Sequence, residues 1–332
     1  MKIWHSTAAG GPETLTIVDV PPPAPGPEEV IIDVRACGIN FPDSLIIRDL
    51  YQFKPERPFA PGGEVAGVIA AAGRDVRDLT VGDRVIARTG WGGLAQRVAV
   101  DAWRCCPMPD SMPFDEGSAF LFTYATSYHA LKQRARMAAG ETVLVLGAAG
   151  GTGVAAIEIA KAFGGYVVAA VSSEAKAAFA RSCGADDAIV YPGGALDKEQ
   201  SRALGAAFKT AAPNGFDIVY DPVGGDYAEP ALRSMAWKGR YLVVGFTAGI
   251  PKLPFNLVLL KGCEVVGVFN GGLQANEPDV GAENVRELVA LYEQGKLRPR
   301  VTATYAFADA PAAIAAIADR SAMGKLVVEV SA

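Results

Sequence analysis

Hydrophobic positions follow two different rhythms along the chain. In the middle, short runs are almost continuously apolar: Thr142–Leu146, Tyr166–Val171, Asp187–Val190, Phe216–Tyr220, Arg240–Gly245 and Cys263–Phe269. Strands buried on both faces, as in a parallel sheet, read this way. Between these runs apolar residues recur at helical spacing, with helices starting near Thr152, Glu174, Lys198 and Asp226. Alternating strand and helix with right-handed crossovers predicts a doubly wound parallel sheet.

The first 120 or so residues have another pattern. Strand-like segments Glu29–Arg35, Glu64–Ala70, Asp83–Ala87 and Ala95–Val100 are separated by Pro21–Pro27, Pro61–Gly63, Gly82 and Gly90–Gly93. Short strands punctuated by proline and glycine predict an irregular, mostly antiparallel β-barrel. A helix over Asp115–Gln133 joins the two parts. Helices over Asn284–Tyr292 and Asp309–Arg320 and a strand over Lys325–Val330 follow, and are expected to return to the first domain. The fold expected is therefore α/β: a barrel domain from 1–121 and 271–332, and a parallel-sheet domain from 122–270.

The first apolar run ends in Gly147-Ala-Ala-Gly150-Gly151-Thr152-Gly153-Val154. Its spelling, G-x-x-G-G-x-G, departs from G-x-G-x-x-G, but a strand precedes it and a helix follows, as a dinucleotide site requires. Glycines let the backbone turn tightly and let a pyrophosphate approach the N–H groups of the helix terminus. Gly150, Gly151, Thr152, Gly153 and Val154 are thus candidate cofactor residues. Gly245, Phe246, Phe269 and Asn270 follow the last two sheet strands, where such sheets bind ligands, and Asn270 is a candidate for the nicotinamide carboxamide. After the second strand an NAD site places Asp or Glu on the ribose. Here Ser172 and Ser173 stand there, with Lys176 one helical turn on, which favours a 2′-phosphate and NADPH. Glu174 is the one carboxylate that opposes this choice.

Composition narrows the chemistry. A formal charge of −5 gives no basic surface for nucleic acid. No apolar run of about eighteen residues is present to span a membrane, and Met1–Ser6 opens no signal peptide. Five scattered cysteines, an odd number, suit a reducing cytoplasm. There are only two histidines, and His129, on an apolar helix, is expected to be a core residue.

Several stretches resemble the medium-chain dehydrogenase/reductase superfamily, in its zinc-independent NADPH:quinone oxidoreductase (zeta-crystallin-like) branch. They include Ala36-Cys-Gly-Ile-Asn40-Phe-Pro-Asp43, Pro58-Phe-Ala-Pro-Gly62-Gly-Glu64-Val-Ala-Gly67, Val81-Gly-Asp-Arg-Val85 and Thr123–Leu131. The glycine loop, Tyr220-Asp-Pro-Val-Gly-Gly225, Gly239–Gly245 and Gly324-Lys325-Leu-Val continue the series. The resemblance implies a GroES-like catalytic domain with a Rossmann domain. It also implies that Asn40 and Gly63 occupy the positions of a cysteine and a histidine that bind zinc in metal-dependent relatives. Neither is a zinc ligand of the usual kinds, and the structural-zinc lobe has only Cys105 and Cys106. Without a Lewis acid alcohol oxidation is disfavoured, whereas an electrophilic acceptor such as a quinone or an enone fits.

At its position the Asn40 amide either donates to the acceptor carbonyl or ties loops together, and Asp43, three residues on, either orders that loop or caps its backbone. The same resemblance marks Tyr51 as a proton donor, although a second tyrosine of some relatives is Leu45 here. Thr126 falls on the nicotinamide side, Tyr191 in the adenosine-phosphate pocket, and Lys325 near the cofactor. The activity implied is NADPH-dependent quinone reduction by hydride or single-electron transfer. Alternatives are an enone or enoyl-CoA double-bond reductase and a non-catalytic NADPH-binding or RNA-binding protein. The apolar edge strand Glu264–Phe269 points to a homodimer.

Overall fold

The computed structural model describes residues 1–330 of the 332. Ser331 and Ala332, assigned above to the first domain, lie outside the described residues. The chain divides into two compact units, one of Met1–Phe122 with the chain from Pro299 onward, the other of Thr123–Arg298. Helices Asn270–Asn276 and Pro278–Glu293 therefore belong with the second unit, not with the first as the sequence suggested. The amphipathic helix Pro278–Glu293 buries Asn284 and Leu288, and Asn284 exchanges hydrogen bonds with Gln133 of the same unit.

The first unit is built on the long strand Glu29–Ile39, which pairs antiparallel with Glu64–Ala72, Arg97–Asp101 and Lys325–Glu329. Val301–Ala306 runs parallel to Lys325–Glu329, the one parallel pair of that sheet among the described residues. Val30, Ile32 and Val34 on the long strand pack with Val65, Val85, Val98 and Leu326 into one core. At the end of the strand the register matters most. Gly38 pairs with Glu64, and Ile39 with Leu326. Lys325 therefore comes opposite Asn40, and Glu64 lies opposite the residue two before it. Side chains alternate along a strand, so all three reach one face of the sheet.

The second unit holds six parallel strands in the order Asp187–Val190, Tyr166–Val171, Thr142–Leu146, Phe216–Asp221, Met235–Val243, Glu264–Gly267. This is the Rossmann order, with the switch point beside the first strand. Leu144, Val168 and Val219 are fully buried, as the unbroken apolar runs require. The helix expected over Asp115–Gln133 is broken into Phe114–Ser118 and Leu121–His129, followed by a π-turn to Arg134. No helix of the described residues is long and apolar enough to cross a membrane.

Candidate active site

Each unit holds its own cluster of polar groups. In the first unit Asn40, Asp43, Glu64 and Lys325 are all buried. Lys325 Nζ donates to Asn40 Oδ1 at 2.6 Å and to Glu64 Oε2 at 3.2 Å. Asn40 Nδ2 donates to Gly38 O and to Glu64 Oε2, each at 3.3 Å. Both amide hydrogens are therefore directed at protein acceptors. The amide expected to donate to an acceptor carbonyl is turned inward instead, because the Lys325 ammonium orients its oxygen. Lys325, expected near the cofactor, is only 3% exposed and belongs to this cluster.

Asp43 binds two backbone N–H groups. Its Oδ2 accepts from the Asn40 N–H at 2.7 Å and its Oδ1 from the Gly62 N–H at 3.0 Å. Burial pushes its carboxyl up to about 6, against the opposing pull of those two N–H bonds and of Lys325. Burial also pushes the Cys37 thiol well up, and the Asp43 and Glu64 charges add to this. Cys37 is thus an inert packing group, with its Sγ filling the space beside Gly62 and Gly93. Tyr51 is half-buried, with Phe53 5.9 Å away between ring centroids. Burial and, after it, the Asp43 charge hold the Tyr51 hydroxyl above its usual range, so it stays protonated at neutral pH.

The Lys325 ammonium seated on Asn40 and Glu64 would repel a divalent cation brought to this cluster. Among the described residues no group of three or more His, Cys, Asp or Glu side chains is placed to hold a metal.

In the second unit the candidate residues share one end of the sheet. Gly147–Val154, Ser172–Ser173, Tyr191, Gly245–Phe246 and Phe269–Asn270 each follow the carboxyl end of a strand, five of the six strands in all. Gly147 has φ +59°, which makes the tight turn. A Cβ on Gly153 would lie 2.5 Å from Gly147 O, so helix and strand can pack only with glycine there. Gly150 differs. Its backbone is extended, with φ −80°, and a Cβ would meet nothing closer than 3.5 Å. The fold itself does not require glycine at that position, whereas a ligand approaching the helix N-terminus does.

The ribose-side groups are also together. Ser173 caps the helix Glu174–Ser182 by accepting from the Lys176 N–H at 3.3 Å. Lys176 Nζ donates to Ser172 Oγ at 3.4 Å, and partial burial lowers its pKa. Glu174 is exposed in the first turn, where a negative charge favours the helix. The rings of Tyr191 and Tyr227 meet tilted by 44°, with centroids 4.6 Å apart. Thr126 is half-buried on helix Leu121–His129. At the far side, Asn270 Oδ1 is buried without a hydrogen-bond partner. Such an orphaned acceptor suits the amide hydrogens of a nicotinamide carboxamide. His129 is buried, as expected of a core residue, 3.2 Å from Gln133 Oε1 through Nδ1, and burial lowers its pKa.

Three groups have roles the sequence did not reveal. Asp221 accepts from the Val223 and Gly224 N–H groups and from the Tyr241 hydroxyl, so it shapes the turn whose Val223 packs on Gly147. Ser127 Oγ lies 3.0 Å from Thr152 O, to which it donates, and 2.8 Å from the Tyr220 hydroxyl. Glu64 carries the first-unit cluster.

Comparison with known proteins agrees with this architecture. Residues 26–110 match the family described as alcohol dehydrogenase GroES-like domain, and residues 151–290 the family described as zinc-binding dehydrogenase. The chain is 35% identical over 317 residues to quinone oxidoreductase-like protein 2 of Rattus norvegicus, covering 95% of this chain and 89% of that one. It is 34% identical to a quinone oxidoreductase of Pseudomonas aeruginosa, covering 96% and 97%. The crystal structure of the Escherichia coli quinone oxidoreductase complexed with NADPH superposes with a TM-score of 0.90 at 26% identity, covering 99% and 100%.

Proposed function

The chain belongs to the medium-chain dehydrogenase/reductase superfamily, among its quinone oxidoreductases, and from that premise we propose that it is an NADPH-dependent, zinc-independent quinone reductase. The carrying observation is the gathering of the candidate cofactor residues at the carboxyl ends of five parallel strands, with a buried acceptor on Asn270 left open. Bound there, NADPH would supply the hydride. The N–H groups at the start of helix Gly151–Ala162 hold the pyrophosphate, and Ser172 with Lys176 takes the 2′-phosphate. Asn270 orients the carboxamide, and Thr126 stands on the nicotinamide side.

A quinone needs one hydride and one proton to become a hydroquinone. It is already electrophilic, so no metal has to polarise it, which accords with Asn40 and Gly63 at the ligand positions. Tyr51, kept protonated by its surroundings, is the proton donor, and its ring with that of Phe53 offers a flat apolar surface to the acceptor. Asp43 and Asn40 hold the loop from which Tyr51 follows. Five scattered cysteines, an odd number, support a reducing cytoplasm.

We further propose that two copies pair along Glu264–Gly267, the outermost strand of the parallel sheet. Phe255, Leu259 and Leu260 on the preceding helix are 75%, 77% and 68% exposed, an apolar surface that a monomer would leave in water. Oxidation of NADPH by the purified, chelator-treated protein, with a simple quinone, an enone and an enoyl-CoA offered in parallel, tests the activity. Preference for the enone or thioester would move the protein to the double-bond reductases.

A further inference from the structure

Glu64 belongs to none of the roles derived above for cofactor or acceptor, yet its carboxylate is fully buried and wholly committed. Its Oε2 accepts from Lys325 and Asn40. Its Oε1 accepts from the Phe122 N–H at 2.8 Å. Phe122 is the second residue of helix Leu121–His129, and the first N–H groups of a helix have no partner within it. A carboxylate from a strand more than fifty positions back in the chain fills that need, at the end where the helix dipole favours negative charge. Thr126 comes one turn after Phe122 on the same helix, and Ser127 follows it, donating to Thr152 O at the start of the phosphate-binding helix.

We propose that Glu64 is a positioning residue. Through Phe122 it fixes the start of the helix that carries Thr126, and so the placement of that nicotinamide-side group. This rests on the reading that the chain binds NADPH. The competing explanation is that Glu64 only balances the Lys325 charge. Two double variants separate them. Glu64→Gln with Lys325→Met removes both charges but keeps an Oε1 acceptor for Phe122. Glu64→Met with Lys325→Met removes the acceptor as well.

Two readouts apply, each compared between the double variants. The first is hydrogen exchange of the amides at 122–126, which needs no cofactor. The second is the split between kcat and the NADPH dissociation constant, read from nicotinamide fluorescence. With the acceptor lost, we expect exchange at least tenfold faster and kcat at least tenfold lower. The NADPH dissociation constant, set by the phosphate contacts, should stay within threefold. Equal exchange and equal kcat in the two variants would overturn the role of Glu64. Proportional losses of affinity and kcat would reduce that role to a structural one. Failure of the unaltered protein to bind NADPH would instead overturn the cofactor reading on which the proposal rests.

Discussion

Replacing Lys176 by glutamate tests the cofactor assignment at its most exposed point. Lys176 Nζ sits 3.4 Å from Ser172 Oγ at the end of the second strand, and its partial burial already disfavours the bare ammonium. A 2′-phosphate placed between these groups would gain a charge-assisted hydrogen bond, worth about 1.5–3 kcal/mol. At about 1.4 kcal/mol per decade, neutral Lys176→Met should weaken NADPH by roughly 10- to 100-fold. Charge reversal adds repulsion. Two unit charges about 4 Å apart at an effective dielectric near 20 interact by about 4 kcal/mol, a ceiling that screening at this half-exposed site lowers. Lys176→Glu should therefore raise the NADPH Michaelis constant at least tenfold, and more than Lys176→Met does. NADH, which lacks the phosphate, should change by less than threefold with either variant. Steady-state kinetics with both cofactors and a fixed quinone measures this. An unchanged constant for NADPH, or equal losses for the two cofactors, would refute the assignment.

Other expectations follow from the same geometry. Asp43 holds its proton more tightly folded, at about 6, than unfolded near 3.8, so the folded state binds more protons between those values. Stability should fall as pH rises from about 4 to about 6, by about 3 kcal/mol from this group, and level off above; denaturant titrations should show that fall removed in Asp43→Asn. Lys325→Met alone leaves Glu64 charged and buried, and should cost about 3–5 kcal/mol, read as a lower denaturation midpoint. Gly153→Ala forces a methyl group to within 2.5 Å of Gly147 O, and should lose about 1–3 kcal/mol of stability together with NADPH affinity. Leu259→Asp with Val265→Asp should give monomers by light scattering at micromolar protein, and a monomeric mass for the unaltered chain would refute pairing along the edge strand.

Much of the second unit was legible because its central strands are buried on both faces and even the outer strand Asp187–Val190 is mostly apolar. Thr142–Leu146, Tyr166–Val171 and Asp187–Val190 begin and end where their apolar runs do. The fifth strand starts earlier than its run, at Met235, because a bulge lets Phe216 pair with Met235 before Ile218 meets Arg240. Helix Phe255–Lys261 carried no readable period, since its apolar residues are spread around an exposed surface. The break between Ser118 and Leu121 follows from tertiary contact: a Cβ on Gly38 would lie 1.9 Å from Ser118 O, so strand and chain meet there at backbone distance. Of the Asn40–Glu64–Lys325 cluster, Asn40 and Lys325 could be named from the sequence, but Glu64 could not, and the three could not be assembled. Its members lie far apart in the chain, and only the pairings of Gly38 with Glu64 and Ile39 with Leu326 bring them onto one face. That register also redirects Asn40 from an acceptor's carbonyl to Lys325.

The central claim is hydride transfer from NADPH to a quinone without a metal. It is tested most directly by following NADPH absorbance during turnover of a simple quinone by protein stripped with a chelator and checked for residual zinc. The account predicts full activity in the stripped protein, stoichiometric hydroquinone, and NADPH preferred over NADH at least tenfold. Activity that vanishes on stripping and returns with zinc, or NADPH binding without any turnover of the quinone, would contradict it.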